Sequence, residues 1–172
     1  MAKVLQVSKV NVVKEPGKNK IKRAQIEGFP EVIRMGVHGG IADFFKLSIT
    51  EPVASTLDYI VAAVGGCMTG TVAGALEARG VSADPSKLKV EAVGQIEDVD
   101  GKMILTGIKL HYTLKVPKDK RATVERALEH HEGLCAASES VRRGITVEWD
   151  SSIEVEESEV ESQPAAKSSS AT

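Results

Sequence analysis

Aromatic residues are scarce in this sequence, and the scarcity restricts both the core and the possible partners. Only 3% of the 172 residues are Phe, Trp or Tyr, so the core has to be built from Val, Leu, Ile and Ala. Proteins that bind single-stranded nucleic acid usually stack the bases on aromatic side chains. The composition therefore disfavours a nucleic-acid partner and predicts an ordinary globular domain with an aliphatic core.

No strong excess of charge of one sign is present either. The net charge is −2, and the segment from Glu154 onwards contributes −4, which leaves +2 for residues 1–153. Neither value suggests a polyanionic partner. Because residues 156–172 are rich in Glu, Ser and Ala and have no apolar period, we predict a single domain over residues 1–155 and a disordered tail after it.

Long apolar runs are also missing. The N-terminus has no apolar stretch of signal-peptide length, and no segment reaches the roughly 20 apolar residues that cross a bilayer. We therefore expect a cytoplasmic protein with no membrane partner.

The order of the predicted elements indicates an α+β fold. In the first half they are strands at 4–13, 21–27 and 32–35, a loose connection at 36–52, and an apolar helix between Pro52 and Gly80. In the second half they are a hairpin that turns at Asp100-Gly101, helices at 118–132 and 138–143, and a strand at 145–149. In the first of these helices His131 can share a face with Val124 and Leu128. Strands and helices that are segregated in runs are typical of an α+β domain.

Only two cysteines occur, Cys67 and Cys135, and they stand 68 positions apart. A stable disulfide is unusual in a reducing cytosol, so these residues are either buried core fillers or redox-active thiols. Gly65-Gly66 precedes Cys67 inside the predicted helix. Either the two glycines allow close packing, or a bend there makes Cys67 the start of a second helical segment. Cys135 lies between two predicted helices. Since a helix N-terminus favours the thiolate, both positions suit a reactive thiol.

A metal centre is the other use of such residues, and we do not predict one. The cluster of His130, His131 and Cys135 has no Cys-x-x-Cys pair beside it. Adjacent histidines on a helix point about 100° apart, so both cannot easily face one ion. We expect the two histidines to form a surface pair, and the alternative is that one of them tunes Cys135.

Two motifs carry a resemblance to a known family. The stretch from Asp58 to Cys67, an acidic residue followed by an Ala-rich apolar helix and two glycines before the cysteine, resembles the first motif of the OsmC/Ohr family. The stretch from Leu134 to Val147, in which Cys135 is followed by a serine three residues on and by Arg143-Gly144, is similar to the second motif. With the matching order of elements, the resemblance extends over residues 4–150.

The resemblance implies antiparallel sheets wrapped around long central helices in an intertwined homodimer, with active sites at the subunit interface. Cys67 would attack an organic hydroperoxide and become a sulfenic acid, and Cys135 would condense with it to a disulfide. An external dithiol, of the lipoyl kind in relatives, would restore both thiols. No bound cofactor or metal is implied.

The chain departs from the family pattern in three places. Leu57 stands where many members have a glutamate, and Asp58 matches a variant spacing. Because Asp58 lies about 13 Å from Cys67 along an ideal helix, it needs a bend or a second subunit to reach the thiol; a charge at the helix N-terminus is its alternative role.

Family members also use an arginine to stabilise the thiolate. Arg34 is our candidate, with Arg23 and Lys46 as alternatives. Ala136 replaces a proline that often follows the second cysteine.

Two other functions remain open on the sequence. One is a non-catalytic dimer whose interfacial pocket binds an apolar small molecule, with the cysteines as packing. The other is a redox sensor that forms the disulfide but lacks fast turnover. The acidity and reactivity of the Cys67 thiol would separate these alternatives from a peroxidase.

Overall fold

A computed structural model describes residues 2–17, 20–144 and 147–148. Along the chain it has three strands, a short helix, a long helix, two long strands and two further helices. The helices and antiparallel strands confirm the predicted α+β class. Of the predicted strand at 145–149 only residues 147 and 148 are described, and neither of them belongs to a strand. The tail at 156–172 lies outside the described residues.

The N-terminal strands form an antiparallel meander, as predicted. They are β1 (Val10–Lys14), β2 (Lys22–Ile26) and β3 (Val32–Met35), paired in the order β1-β2-β3. β1 begins later than the predicted residue 4, because β2 ends opposite Val10 and leaves the earlier residues without a ladder partner. Every residue of β1 is exposed, so this strand covers no core of its own chain.

A short helix interrupts the connection that was predicted to be loose. It is α1 (Gly39–Phe44), and it buries Ile41 and Ala42. The two glycines at its start concealed it in the sequence, since glycine disfavours helix formation.

The central helix α2 (Thr56–Glu77) is continuous over 22 residues. Of the two explanations that the sequence allowed for Gly65-Gly66, the bend is therefore wrong, and both glycines lie within the helix. Close packing explains the first of them, because a Cβ added at Gly65 would lie 2.9 Å from the Cβ of Ala92. Gly66 faces open space.

A long hairpin packs against α2. Its strands are β4 (Leu88–Val99) and β5 (Lys102–Leu114), joined by Asp100 and Gly101 with φ of 53° and 76°. Positive φ at both central residues suits a tight two-residue turn, as the sequence predicted. Gly94 on β4 lets the strand approach α2, since a Cβ at that position would collide with Val61.

Two helices complete the described chain. A 3₁₀ turn (Lys118–Lys120) leads into α3 (Arg121–His130), and a second one (Glu132–Leu134) leads into α4 (Ala136–Arg143). α4 starts two residues before the predicted position, directly after Cys135. The larger apolar cluster joins α2, β4 and α3 around Val72, Leu76 and Val124, and the smaller one consists of Val64, Met68 and Cys135.

By length and composition α2 could also cross a membrane. About 28% of the 18-residue window that meets this criterion is buried within the protein. The sequence did not predict such a segment, because no run of roughly 20 apolar residues was found in it. A single helix of this kind does not make the chain a membrane protein, since core helices of soluble proteins meet the same criterion.

Candidate active site

The two cysteines, remote in sequence, meet where α2 passes the start of α4. Cys67 is partly exposed in the middle of α2, and its side chain packs against the cluster that contains Cys135. Cys135 is 0% exposed and directly precedes α4. One thiol can therefore meet a solute while the other is held behind it.

Cys135 is the N-cap residue of α4. Its backbone is extended, with φ of −84° and ψ of 113°, and its Sγ accepts a hydrogen bond from the backbone N–H of Ser138 at 3.5 Å. The 3₁₀ turn before it ends with the N–H of Cys135 donating to the carbonyl of Glu132. The sulfur thus takes the place that a serine or aspartate oxygen usually occupies at a helix start.

The pKa of the Cys67 thiol is lowered from its ordinary value by groups at this same helix start. The backbone N–H of Ala137 has the largest effect, followed by the side chain of Cys135, and Ala136 adds a smaller one; burial works in the opposite direction. Donors of this kind favour the thiolate because they interact more strongly with the negatively charged sulfur.

The sequence allowed each cysteine to lie at the start of a helix, and the structure shows this for one of the two. Cys135 lies beside its own helix start, as predicted, whereas Cys67 lies in the interior of α2. The N–H groups that act on Cys67 belong to α4, a different element. No local pattern around Cys67 could have revealed this.

A partly buried pair of Tyr112 and His131 lies next to Cys135, and the sequence did not predict the contact between these two residues. His131 is only 8% exposed, so the predicted surface pair is wrong for His131, although His130 is exposed. The hydroxyl of Tyr112 and Nε2 of His131 are 2.9 Å apart, and Nδ1 of His131 donates to the carbonyl of Leu128 at 2.5 Å. Burial raises the pKa of Tyr112, and the proximity of Cys135 adds to this effect. The helical spacing from Val124 and Leu128 was the only signal for His131.

Asp58 lies at the N-terminus of α2 and does not contact Cys67 within the chain. Its carboxylate accepts hydrogen bonds from the N–H and the hydroxyl of Ser55, in a capping box, and pairs with Nε2 of His38 at 2.7 Å. Burial alone would raise its pKa, but the bonds from His38 and Ser55 together lower it. Since α2 is one continuous helix from Thr56 to Glu77, only a second subunit could bring an Asp58 to the thiol.

Arg34 is also remote from the cysteines within the chain. It bridges two carboxylates, with Nε 2.7 Å from Glu15 and Nη1 2.7 Å from Glu51, and these bonds raise its pKa. The side chains of Arg23 and Lys46, the alternatives, form no hydrogen bond or ion pair with another described residue, although the charge of Arg23 contributes to lowering the pKa of Glu15. The structure therefore brings together Cys67 and Cys135, and separates both from Asp58 and Arg34.

Among the described residues no group of three or more His, Cys, Asp or Glu side chains could hold a metal ion.

Comparison with known proteins places this arrangement in a family. Residues 52–150, which include both cysteines and more than half of the chain, match the family model described as OsmC-like protein. The chain belongs to the OsmC-like family.

Solved OsmC-like structures share the fold at low sequence identity. The OsmC-like protein of Mycoplasma pneumoniae has 15% identity and a TM-score of 0.61, over 81% of this chain and 89% of that one. An OsmC-like protein of unknown function from Vibrio cholerae has 12% identity and a TM-score of 0.62, over 78% and 93%. An organic hydroperoxide resistance protein from Elizabethkingia anophelis has 11% identity and a TM-score of 0.59, over 82% and 91%. No curated protein sequence matches the chain.

Proposed function

We propose that this OsmC-like protein reduces organic hydroperoxides with its two cysteines. The observation that supports the proposal most is the lowered pKa of a partly exposed Cys67 beside a buried Cys135. A thiolate is the form that attacks a peroxide, and a second thiol behind it is what a resolving step requires. The solved relatives named for organic hydroperoxide resistance favour this reaction over other thiol chemistry.

In the first step the Cys67 thiolate attacks the terminal oxygen of R–O–OH. An S–O bond forms, the O–O bond breaks, and the departing alkoxide takes up a proton to give R–OH. Cys67 is oxidised to a sulfenic acid and the hydroperoxide is reduced to an alcohol.

In the second step Cys135 attacks the sulfenic sulfur of Cys67. The S–S bond forms as the S–O bond breaks, and the hydroxyl leaves as water with the proton of the Cys135 thiol. The side chain of Cys135 already interacts with the Cys67 sulfur, so a short movement suffices. A disulfide between Cys67 and Cys135 also requires that their Cα atoms lie within about 7 Å of each other. An external dithiol then exchanges with this disulfide and is itself oxidised, which regenerates both thiols.

The same proposal includes an intertwined homodimer in the cytoplasm, with no bound cofactor. A homodimer would bring Asp58 or Arg34 of a second copy to the thiol, which neither residue reaches within its own chain. A reducing compartment would supply the dithiol.

Substitution of each cysteine tests the reaction. Cys67→Ser should abolish consumption of cumene hydroperoxide, whereas Cys135→Ser should react once with dithiol present and then stall, because its sulfenic acid has no internal partner. Mass spectrometry after one equivalent of peroxide should find a Cys67–Cys135 disulfide only in the wild-type protein. Full turnover in Cys67→Ser would reject the proposal, and thiols that remain unreactive in the native state would favour a binding protein.

A further inference from the structure

His131 is a buried titratable side chain that the proposed reaction does not use. It is 8% exposed and directly follows α3, at the start of the 3₁₀ turn that leads to Cys135. The carbonyl of His131 accepts from the N–H of Leu134 at 3.1 Å. At the other end of the turn the N–H of Cys135 donates to the carbonyl of Glu132 at 3.3 Å. Because His131 and Cys135 are the two ends of one hydrogen-bonded turn, a displacement of the histidine also displaces the cysteine.

Both ring nitrogens of His131 have a hydrogen-bond partner. Nδ1 lies 2.5 Å from the carbonyl oxygen of Leu128, and because a carbonyl can only accept, Nδ1 carries the proton. Nε2 of the neutral ring then has a free lone pair, and it accepts from the hydroxyl of Tyr112 at 2.9 Å. The two rings also meet edge to face, with centroids 5.2 Å apart, which fixes the plane of the imidazole.

Tyr112 is held in place by the long hairpin. It lies on β5 opposite Val90 of β4, and it packs against the apolar cluster around Val72 and Leu76. Burial raises the pKa of Tyr112, so the hydroxyl keeps its proton and remains a donor. Through this one hydrogen bond the hairpin holds a turn that lies 19 residues further along the chain.

The contacts of Cys135 depend on the position of this turn. Its Sγ accepts from the N–H of Ser138 at the start of α4, and its side chain interacts with the sulfur of Cys67. The rate at which one sulfur attacks another depends steeply on how well the two are placed. Anything that holds the turn therefore also affects the resolving step.

We propose that the hydrogen bond from Tyr112 to His131 is a lock that positions Cys135 for its attack on Cys67 and thereby sets the rate of the resolving step. Both are positioning residues, because they act through the turn and take no part in the bond changes. The inference rests on the proposed function, since it takes Cys135 as the resolving thiol. Without the lock the turn moves relative to α2, and the two sulfurs face each other for less of the time.

An aromatic disulfide measures the resolving step without any hydroperoxide. The Cys67 thiolate attacks dithiobis(nitrobenzoate), the S–S bond of the reagent breaks, and one coloured thiolate leaves while the other half stays on Cys67. Cys135 then attacks the Cys67 sulfur, gives its proton to solvent and releases the second coloured thiolate. Stopped-flow absorbance of the wild-type full chain should show both phases, and only the first should depend on reagent concentration.

Tyr112→Phe should slow the second phase about five- to tenfold, which corresponds to one lost neutral hydrogen bond, and leave the first phase unchanged. His131→Leu should have the same effect. The double variant should be no slower than either single variant, because the same bond is lost in each. His131→Gln should restore most of the rate, because the amide oxygen of glutamine can accept from Tyr112.

Tyr59→Phe is the matched control, because its hydroxyl donates to the carbonyl of Arg34 at 2.9 Å, more than two helical turns before Cys67 on α2. It should leave both phases unchanged. An unchanged second phase in Tyr112→Phe, or an equal slowing of both phases, would overturn the lock. Release of only one thiolate by the wild-type protein, or an equal effect of Tyr59→Phe, would do the same.

The failure of the lock and the failure of the proposed function have different signatures. A wild-type protein that shows both phases but consumes no cumene hydroperoxide would reject the proposed function. The slower second phase of Tyr112→Phe would still support the lock in that case, because the aromatic disulfide replaces the peroxide as oxidant.

Discussion

The acidity of Cys67 depends on hydrogen-bond donors from a helix to which it does not belong. The first N–H groups of a helix have no partner within the helix, and they carry the positive end of its dipole. In this protein the N-terminus of α4 serves two sulfurs: Cys135 caps it, and Cys67 approaches it from α2. One structural feature thus fixes the buried thiol and activates the exposed one.

This arrangement predicts the pH dependence of Cys67 alkylation. Iodoacetamide reacts with the thiolate, so the rate should rise with pH and level off above the thiol pKa. We expect a midpoint below the ordinary value of about 8.5. Cys135→Ala removes a side chain that lowers the pKa of Cys67, so its midpoint should move to higher pH. Alkylation rates measured by mass spectrometry from about pH 5 to about pH 10 test this prediction. A lower midpoint in Cys135→Ala than in the wild type would contradict it.

At the level of the element, the start of α2 explains Asp58, whose role the sequence left open. Ser55 is 2% exposed and forms a capping box with Asp58. His38 holds the same carboxylate from the side. The capping box gives Asp58 a definite structural role within its own chain.

Ser55→Ala should therefore destabilise the protein by about 1 kcal/mol, and by up to about 2 kcal/mol. The substitution removes the hydroxyl that accepts from the N–H of Asp58 and donates to its carboxylate. Urea unfolding followed by circular dichroism measures the change. Thr56→Ala, at the exposed next position, is the control and should change stability much less; equal losses in both variants would argue against the cap.

The start of α4 makes a second prediction at the same scale. Ala136→Pro should stabilise the protein by about 0.4–1 kcal/mol, because proline at the first helical position stiffens the unfolded chain and Cys135 is already extended. Ala137→Pro should instead destabilise it, since proline disfavours the helical conformation of the residue before it. It would also remove the N–H that lowers the pKa of Cys67 most. Unfolding curves and the alkylation midpoint of both variants check this pair, and a stabilised Ala137→Pro with an unchanged midpoint would contradict it.

At the level of the whole molecule, the described chain leaves surfaces that call for a partner. Gly66, Gly70 and Gly74 follow one another at helical spacing on α2, and a Cβ added at any of them would meet nothing within 4 Å. Tyr59 and Ile60 are also exposed on this helix. A thin helix with an open apolar side lets another backbone approach closely, which is what the proposed homodimer requires.

Gly70→Leu tests this surface. Within one chain the leucine has free space and a better helix propensity than glycine, so the monomer should not be destabilised. If α2 packs on a second copy, the side chain should weaken the dimer, and sedimentation equilibrium should show a shift towards monomer. Ala122→Leu, on the exposed side of α3, is the control. A dimer that Gly70→Leu leaves as tight as the wild type would place the interface elsewhere.

Much of the fold follows from signals between neighbouring residues. Alternating side chains and Asp100-Gly101 predicted the hairpin, the apolar period predicted α2, and Gly144 marked the end of α4 correctly. The misplaced features have non-local causes. Close packing and a bend both remained open at Gly65 because its contact with Ala92 is invisible in the sequence, and His131 was assigned to the surface because its burial depends on Tyr112 from a distant strand.

The sequence by itself determined the class of fold, the two cysteines and the motifs that surround them, since each depends on residues close together in the chain. Only the tertiary structure decided that one sulfur is buried and the other accessible, and that α4 supplies the N–H groups beside Cys67. Such features arise when side chains far apart in the chain pack together, and local patterns do not encode that packing.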